Sequence, residues 1–334
     1  MLVAASGGPK WFVLYGLDRY LFGDFFAGRE QPLHTIGSSI GAWRMACLAT
    51  GDPVAAIDRL AELYSKERYS DAPDAREVSR SAQQLLEKVL GKKGADEVAS
   101  NPKVVSHIIA TRCRTWSNFG GKFGLAVALT LAAGSNLVTR SSLSVYFERT
   151  VFNNNRNSRS IVFSDDLSTS YVPLTPDRVC DALIASGSIP FALEGIRNFA
   201  GATPGLYLDG GIIDYHLDLP FSKQPGLVLY PHYQLGITPG WFDKKLFWRK
   251  YKASNFDNVL LLAPSDEFVA SLPYRRIPDR HDFKTLDYDS RLRYWRSVLE
   301  QSQRLAAEFA ELVCSKKGYA VIRPIREIAD ARGK

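Results

Sequence analysis

The sequence is short of the residues that most often announce a mechanism. Its 334 residues include only four cysteines, five histidines and two methionines. Cys47, Cys113, Cys180 and Cys314 stand far apart, without the short spacings of a zinc site or a CxxC redox pair, and read as reduced, unpaired thiols of a cytoplasmic protein. No metal or cofactor motif is present. RNP1, zinc-finger and basic heptad signatures are absent too, so nucleic acid is not an expected partner. None of the histidines, His34, His107, His216, His232 and His281, sits in a triad-like motif.

Long apolar runs are also missing. Met1 to Ser6 is apolar, but it lacks a basic flank and meets glycines and Lys10 before a signal core could form, so it reads as a first strand. The longest run, Phe123 to Val138, is broken by Gly134, Ser135 and Asn136. It falls short of the roughly 20 apolar residues that span a bilayer, and a buried helix is expected there.

What is present suits one large α/β domain or two modest ones, since 46% of the residues are hydrophobic and a sizeable core can form. A formal charge of +7 favours an anionic partner: nucleic acid, lipid headgroups or a phosphorylated substrate. Charge alone does not choose among them.

Short apolar runs alternate with longer helical segments, as in a βα architecture, and no internal repeat interrupts them. Leu2 to Ser6 reads as a strand, Gly7 to Pro9 as a turn and Lys10 to Phe22 as a helix; Leu33 to Ile36 and Ile40 to Ala49 repeat the order. Helices are expected over Val54 to Ser65 and Val78 to Leu90, with a buried strand over Val104 to Ala110. Phe152 to Ser160 reads as a polar loop and Ser160 to Phe163 as a strand. Pro176 opens a helix that runs to Ser186. Leu206 to Leu208, Leu227 to Tyr230 and Val259 to Leu262 read as further buried strands. Tyr288 to Val313 forms one long helix, with Leu292, Trp295, Leu299, Leu305, Phe309 and Leu312 mostly on one face.

Gly37-Ser38-Ser39-Ile40-Gly41 fits G-x-S-x-G between a strand and a helix, where a serine on a strained turn exposes its hydroxyl. An ordinary glycine-bounded turn fits the same letters. Position narrows the reading, because only 38 residues precede Ser39. An elbow on the second strand needs oxyanion donors from the first strand's turn, and Ser6-Gly7-Gly8-Pro9-Lys10 lies there. Losing one such donor typically costs ~3 kcal/mol of transition-state stabilisation. The turn also resembles a phosphate-binding loop, but it lacks the Walker spacing and GxGxxG. For the base, Asp209 stands at the end of an apolar strand and is followed by Gly210 and Gly211. A lone carboxylate is a weak base and needs close hydrogen bonding and partial desolvation. His216 offers a Ser-His alternative.

The order of these elements resembles the patatin-like phospholipase family. Ser6 to Lys10 is similar to its glycine-rich oxyanion loop with a basic residue, Gly37 to Gly41 to its nucleophile elbow, and Asp209-Gly210-Gly211 to its D-G-[AG] base motif. Asp181 to Pro190 is similar to the segment that precedes the base. Ser6 and Trp11 stand where the family often has glycine, and Pro9 has no N–H to donate. The resemblance implies a three-layer α/β/α sandwich with a mostly parallel central sheet. Residues 1–220 would be its catalytic core, and 221–334 a C-terminal extension whose strands and long helix pack back on the core as one globular unit. It implies Ser39 as nucleophile, Asp209 as base, Gly7 and Gly8 amides as oxyanion donors with Lys10 supporting the loop, and hydrolysis of lipid acyl esters through an acyl-enzyme without metal or cofactor. An acyltransferase or thioesterase using the same dyad, and a catalytically silent lipid- or protein-binding module, remain alternatives.

Trp241 to Lys252 combines five cations with five aromatics, a composition suited to an anionic membrane surface, with Trp241, Lys244, Lys245, Trp248 and Arg249 as contacts. On a helical wheel Lys244 falls among the aromatics, so a solvent-facing helix with one packed side is the competing expectation. Arg156 and Arg159 of the polar loop are candidates for a headgroup phosphate, although such loops are usually just solvated. A cytoplasmic protein in peripheral contact with membrane is expected.

Overall fold

Apolar runs set between glycine- and proline-bearing turns give nine strands among the residues that the computed structural model describes, 1–114, 121–155, 161, 167–315, 318–325 and 327. β1 (Leu2–Ala4) leads through a 3-10 turn, Gly8–Leu14, into α1 (Tyr15–Tyr20), which widens to π geometry over Leu21–Phe25. β2 (Leu33–Ser38) is followed by α2 (Ile40–Leu48), α3 (Pro53–Ser65), α4 (Ala75–Leu90) and α5 (Gly94–Ser100). The caps of α3 and α4 are legible: Asp52 accepts from the Ala55 amide with Pro53 in the first turn, and Asp74 accepts from Glu77.

Next come β3 (Val104–Cys113), α6 (Gly121–Asn136), β4 (Phe147–Asn153), β5 (Thr169–Pro173), α7 (Pro176–Gly187), β6 (Ile196–Arg197) and β7 (Leu206–Asp209). The chain closes with β8 (Val228–Pro231), β9 (Val259–Leu262), α8 (Asp266–Ser271), α9 (Asp282–Thr285), α10 (Tyr288–Gln301), α11 (Gln303–Cys314) and α12 (Gly318–Val321). The strand expected over 160–163 and the loop arginines Arg156 and Arg159 lie outside the described residues.

The sheet runs β5-β4-β3-β2-β1-β8-β9 and is mostly parallel; β4 and β7 each run antiparallel to β3. Alternate side chains of β7 enter two different cores. Tyr207 joins the large cluster, while Leu206 and Leu208 join a smaller one with Leu125, Leu129 and Phe147. Helices therefore cover both faces, which makes three layers. β8 and β9 extend the same sheet beyond β1, so 221–334 contributes strands to the sheet that carries the motifs.

Three expectations change on the structure. The C-terminal helix is two helices that meet at Ser302, whose hydroxyl accepts the Gly16 amide at 2.8 Å and donates to Leu299 O at 2.6 Å. α1 crosses there so closely that a Cβ on Gly16 would lie 2.6 Å from the Ser302 carbonyl. Second, α6 is not buried all round: Phe123, Val127 and Leu131, four residues apart along one face, are exposed. Among the described residues, no helix is long and apolar enough to cross a membrane. Third, β9 is only half-buried, as befits an edge strand.

Candidate active site

The edge of β3 explains how two residues 170 positions apart come together. Along that edge β2 pairs with Val104 to Ile109 and then stops at Ser38, opposite Ile109. β7 takes over the same edge from the other direction and ends with Asp209 opposite Ala110. The two strands thus meet end to end, and the residue that follows Ser38 faces the last residue of β7. The Ser39 hydroxyl donates to Asp209 Oδ2 at 2.8 Å.

Ser39 adopts φ 55°, ψ −133°, a backbone conformation that a residue with a Cβ seldom takes. It occupies the N-cap position of α2, yet its hydroxyl does not cap the helix. Its amide donates instead to Ser186 Oγ at 2.9 Å, and Ser186 donates on to Ile109 O at 2.6 Å. Two residues further, Ser188 O accepts the Asp209 amide at 2.8 Å. The C-terminal end of α7 therefore braces both partners, a role for Ser186 that no local sequence signal carries.

The motif glycines let three turns press against one another. A Cβ on Gly41 would lie 2.1 Å from Ala4 O at the end of β1, and one on Gly37 would lie 2.6 Å from the Gly41 carbonyl carbon. Gly210 approaches Ile109 O and the Ser38 side chain; Gly211 approaches Ser6 Oγ, where a Cβ would come within 2.6 Å. Ser6, the departure from the glycine pattern, fills this junction. Its hydroxyl lies 2.6 Å from that of Ser38, which donates to Asp214 O at 2.8 Å.

The first turn is held from behind by a buried relay. Thr238 N–H donates to His216 Nδ1 at 2.9 Å, so Nε2 carries the proton and donates to the Tyr233 hydroxyl at 2.5 Å; that hydroxyl donates to Ser6 O at 3.0 Å. Burial, with His232, Lys10 and Lys244 nearby, holds His216 well below the usual imidazole range. It is neutral, both its nitrogens are engaged, and it is not the partner of Ser39. The amides of Gly7 and Gly8 open the 3-10 turn, where a helix leaves its first N–H groups without internal partners.

Ser39, Asp209, Gly7 and Lys10 line a pocket of about 270 Å³, together with Ile189, Ile212, Tyr215, Trp241, Lys244, Asp279 and Arg280. Burial pushes the Asp209 carboxyl above the usual range, against the opposing pull of Arg280, the Ser39 hydrogen bond, the Gly211 amide and Lys244. Gly211 N–H reaches Asp209 Oδ1 at 2.7 Å, which leaves Oδ2 to Ser39. A larger pocket of about 810 Å³ near Asn101, Asn153, Tyr171 and Pro176 is lined, among the described residues, by no carboxylate, cation or histidine.

The aromatic, basic stretch is not one helix. A 3-10 turn, Trp241–Lys245, gives way to irregular chain because Asp243 is drawn inward by the Gly240 amide, Asn136 Nδ2 and Arg249. Trp241 and Lys244 line the pocket, with Lys244 3.8 Å from the centre of the Tyr215 ring. Arg249 is turned inward onto Asp243 and Asn136 O rather than outward. Lys245, Phe247, Trp248 and Lys250 are exposed.

The family profile described as patatin-like phospholipase matches residues 2–216. No curated protein matches the chain. Among solved structures, VipD from Legionella pneumophila is similar over 92% of this chain and 66% of that chain, at 12% identity and a TM-score of 0.39.

Proposed function

The chain belongs to the patatin-like phospholipase family, and on that footing we propose that it hydrolyses acyl esters of lipids with Ser39 and Asp209 as its catalytic pair. Family membership supports lipid acyl hydrolysis in general. The observation that carries the finer reading is the 2.8 Å bond from Ser39 Oγ to Asp209 Oδ2 inside a pocket that also holds Gly7.

In this mechanism Ser39 Oγ attacks the ester carbonyl carbon while its proton passes to Asp209 Oδ2. Negative charge collects on the carbonyl oxygen beside the Gly7 and Gly8 amides and the N-terminal end of α2. Collapse breaks the ester C–O bond, and the departing alkoxide takes the proton back from Asp209. Water then gives a proton to Asp209 as it attacks the acyl-Ser39 carbonyl, and as the acyl–Oγ bond breaks Asp209 passes that proton to Ser39 Oγ, releasing the fatty acid and restoring both residues. A lone aspartate serves as base because burial raises its proton affinity. A fluorophosphonate should label Ser39, and labelling that survives Ser39→Ala would overturn the assignment.

Lipid esters are met at a surface, and exposed apolar side chains support docking on an anionic bilayer. Phe123, Val127 and Leu131 of α6 are exposed, as are Phe247 and Trp248. Arg249 and Asp243 tie the two groups together through Asn136 at the end of α6. Lys245 and Lys250 are exposed on the same stretch as Phe247 and Trp248, so that segment offers both apolar insertion and attraction to lipid charge. Lys245→Glu with Lys250→Glu should weaken binding to anionic vesicles several-fold while sparing turnover of a soluble short-chain ester. Unchanged vesicle binding removes docking through this face.

A further inference from the structure

Three cations reach the pocket from three separate segments: Lys10 from the first turn, Lys244 from the 3-10 turn after β8, and Arg280 from the loop before α9. The lining includes two carboxylates, Asp209 and Asp279. Lys10 Nζ lies 3.5 Å from Asp279, and Asp209 is engaged by Ser39 and Gly211. Among the described residues no carboxylate pairs with Lys244; its ammonium group lies over the Tyr215 ring instead. Arg280 lies across the oxyanion loop, its Nε 2.6 Å from where a Cβ on Gly8 would be, so its stem is fixed against the turn that faces the nucleophile.

The groups feel one another. Burial pushes the Tyr215 phenol up, but the charges of Lys10 and Lys244, with a hydrogen bond from Lys244, outweigh it and hold the phenol below its ordinary value. Lys244 is itself held down by burial, against the pull of Tyr215, with smaller contributions from the like charges of Lys10 and Arg280. Against Asp209 and Asp279 the three cations leave one positive charge in excess at a partly desolvated mouth, and an anion completes the set. Lys244 and Arg280 also lie beyond residue 216, where the family match ends.

We propose that Lys10, Lys244 and Arg280 form a subsite for the phosphate of an anionic lipid headgroup, held at the pocket mouth while the ester carbonyl of the same lipid reaches Ser39. These three side chains, two of them beyond residue 216, then set the preference for a phosphorylated over a neutral acyl ester. The subsite rests on the reading of Ser39 and Asp209 as an acyl-hydrolase pair.

The test compares two single-chain substrates that differ by one phosphate, 1-dodecanoyl lysophosphatidate and 1-monododecanoylglycerol, below their aggregation limits. Wild type should prefer the phosphorylated ester at least tenfold in kcat/KM. Lys244→Gln should lower that preference about tenfold through KM, and Lys244→Arg should restore most of it. A change that acted only through the protonation of Asp209 would move both substrates together and leave the ratio intact. A ratio unaltered by Lys244→Gln, with turnover persisting, overturns the subsite and leaves the hydrolase standing.

A second arm uses Ser39→Ala protein and needs no turnover. Glycerol 3-phosphate should bind it, and at least tenfold more weakly when Lys244→Gln is added. If inorganic phosphate binds as tightly as glycerol 3-phosphate while the lipid ratio stays flat, the cations hold a free anion and the headgroup assignment is overturned. Absence of ester turnover and of Ser39 labelling in a protein that still binds glycerol 3-phosphate through Lys244 overturns the hydrolase reading instead.

Discussion

Replacing Asp209 by Asn keeps the shape of the side chain and changes its charge and one hydrogen-bond pairing. The amide oxygen can still accept from Gly211 N–H, as Oδ1 does at 2.7 Å, but the other terminus becomes an NH₂ that cannot take a proton from Ser39. General-base action of this kind is worth about 10²–10⁴ in rate. At about 1.4 kcal/mol per factor of ten, the barrier should rise by about 3–5 kcal/mol. Stability should behave differently. Burial is the largest influence on this carboxyl and raises its proton affinity above that of the unfolded chain, so ionised Asp209 is disfavoured in the fold. That penalty is absent where both states are protonated, grows as pH rises through the unfolded carboxylate range, and is complete above the folded pKa. Relief of it offsets the loss of charge-assisted hydrogen bonds, worth about 1.5–3 kcal/mol each. Asp209→Asn should therefore unfold within about 1 kcal/mol of wild type near neutrality, and its stability relative to wild type should improve from pH 3 to pH 7. Denaturant titrations at both pH values and turnover of a short-chain ester measure the two sides. Turnover within tenfold of wild type would refute Asp209 as base; a large loss of stability at neutral pH would show that its role is structural.

Arg280→Gln removes the strongest opposing influence on Asp209. The carboxyl then takes a proton at higher pH, and the acid limb of kcat/KM for a neutral ester should move upward in pH; an unmoved limb refutes the coupling. Gly41→Ala places a methyl 2.1 Å from Ala4 O and 2.7 Å from Ala5 O, both backbone atoms. It should cost about 3 kcal/mol in denaturant unfolding, the upper end for overpacking, and lower turnover by shifting the elbow from the first turn. Arg149 and Asp214 form a fully buried two-bond pair, at 2.6 and 2.8 Å, behind the Ser38 hydroxyl. Asp214→Ala should cost about 3–5 kcal/mol by stranding the guanidinium, and Arg149→Met with Asp214→Leu should cost well under the sum of the single changes. Additive costs would show that the pair is not coupled.

What could be read from the sequence was carried by short-range signals. The turns around Gly7, Ser39 and Asp209 are local, and their glycines answer to approaches of 2.1 to 2.6 Å, by backbone at Gly37, Gly41 and Gly210 and by side chains at Gly7, Gly8 and Gly211. The helices α3 and α4 have caps and periodicity of their own. Long-range packing left no comparable trace. Nothing near Arg280 indicates that its chain will lie over Gly8, and nothing near Tyr233 indicates that its hydroxyl will meet Ser6 O. The apolar run of α6 has little amphipathic contrast, so composition suggested burial; which face lies open was decided by where Leu125, Leu129 and Ala132 found partners. A helical wheel failed over Trp241 to Lys252 because one buried acid, Asp243, gathers Gly240, Asn136 and Arg249 around itself and ends the turn.

These long-range contacts run mostly in one direction, from the last third of the chain onto the first turn. β8 pairs with the outer edge of β1, on the side away from β2, and His232 and Tyr233 follow directly from its end. Tyr233 packs against Gly7 so closely that a Cβ there would meet its ring at 2.6 Å, which is a physical reason for glycine at that position beyond amide exposure. Tyr215, between the base motif and β8, accepts the Ser6 amide on its carbonyl oxygen at 3.0 Å. The first turn, the proposed oxyanion loop, thus sits in a clamp whose one side is the turns of Ser39 and Asp209 and whose other side comes from beyond residue 216. Its geometry is a property of the whole sheet, and the segment that shapes the loop is also the one that brings Lys244 and Arg280 to the pocket. The geometry of the first turn and the charge at the mouth can therefore vary together, through changes in that segment, while Ser39 and Asp209 stay fixed on the edge of β3.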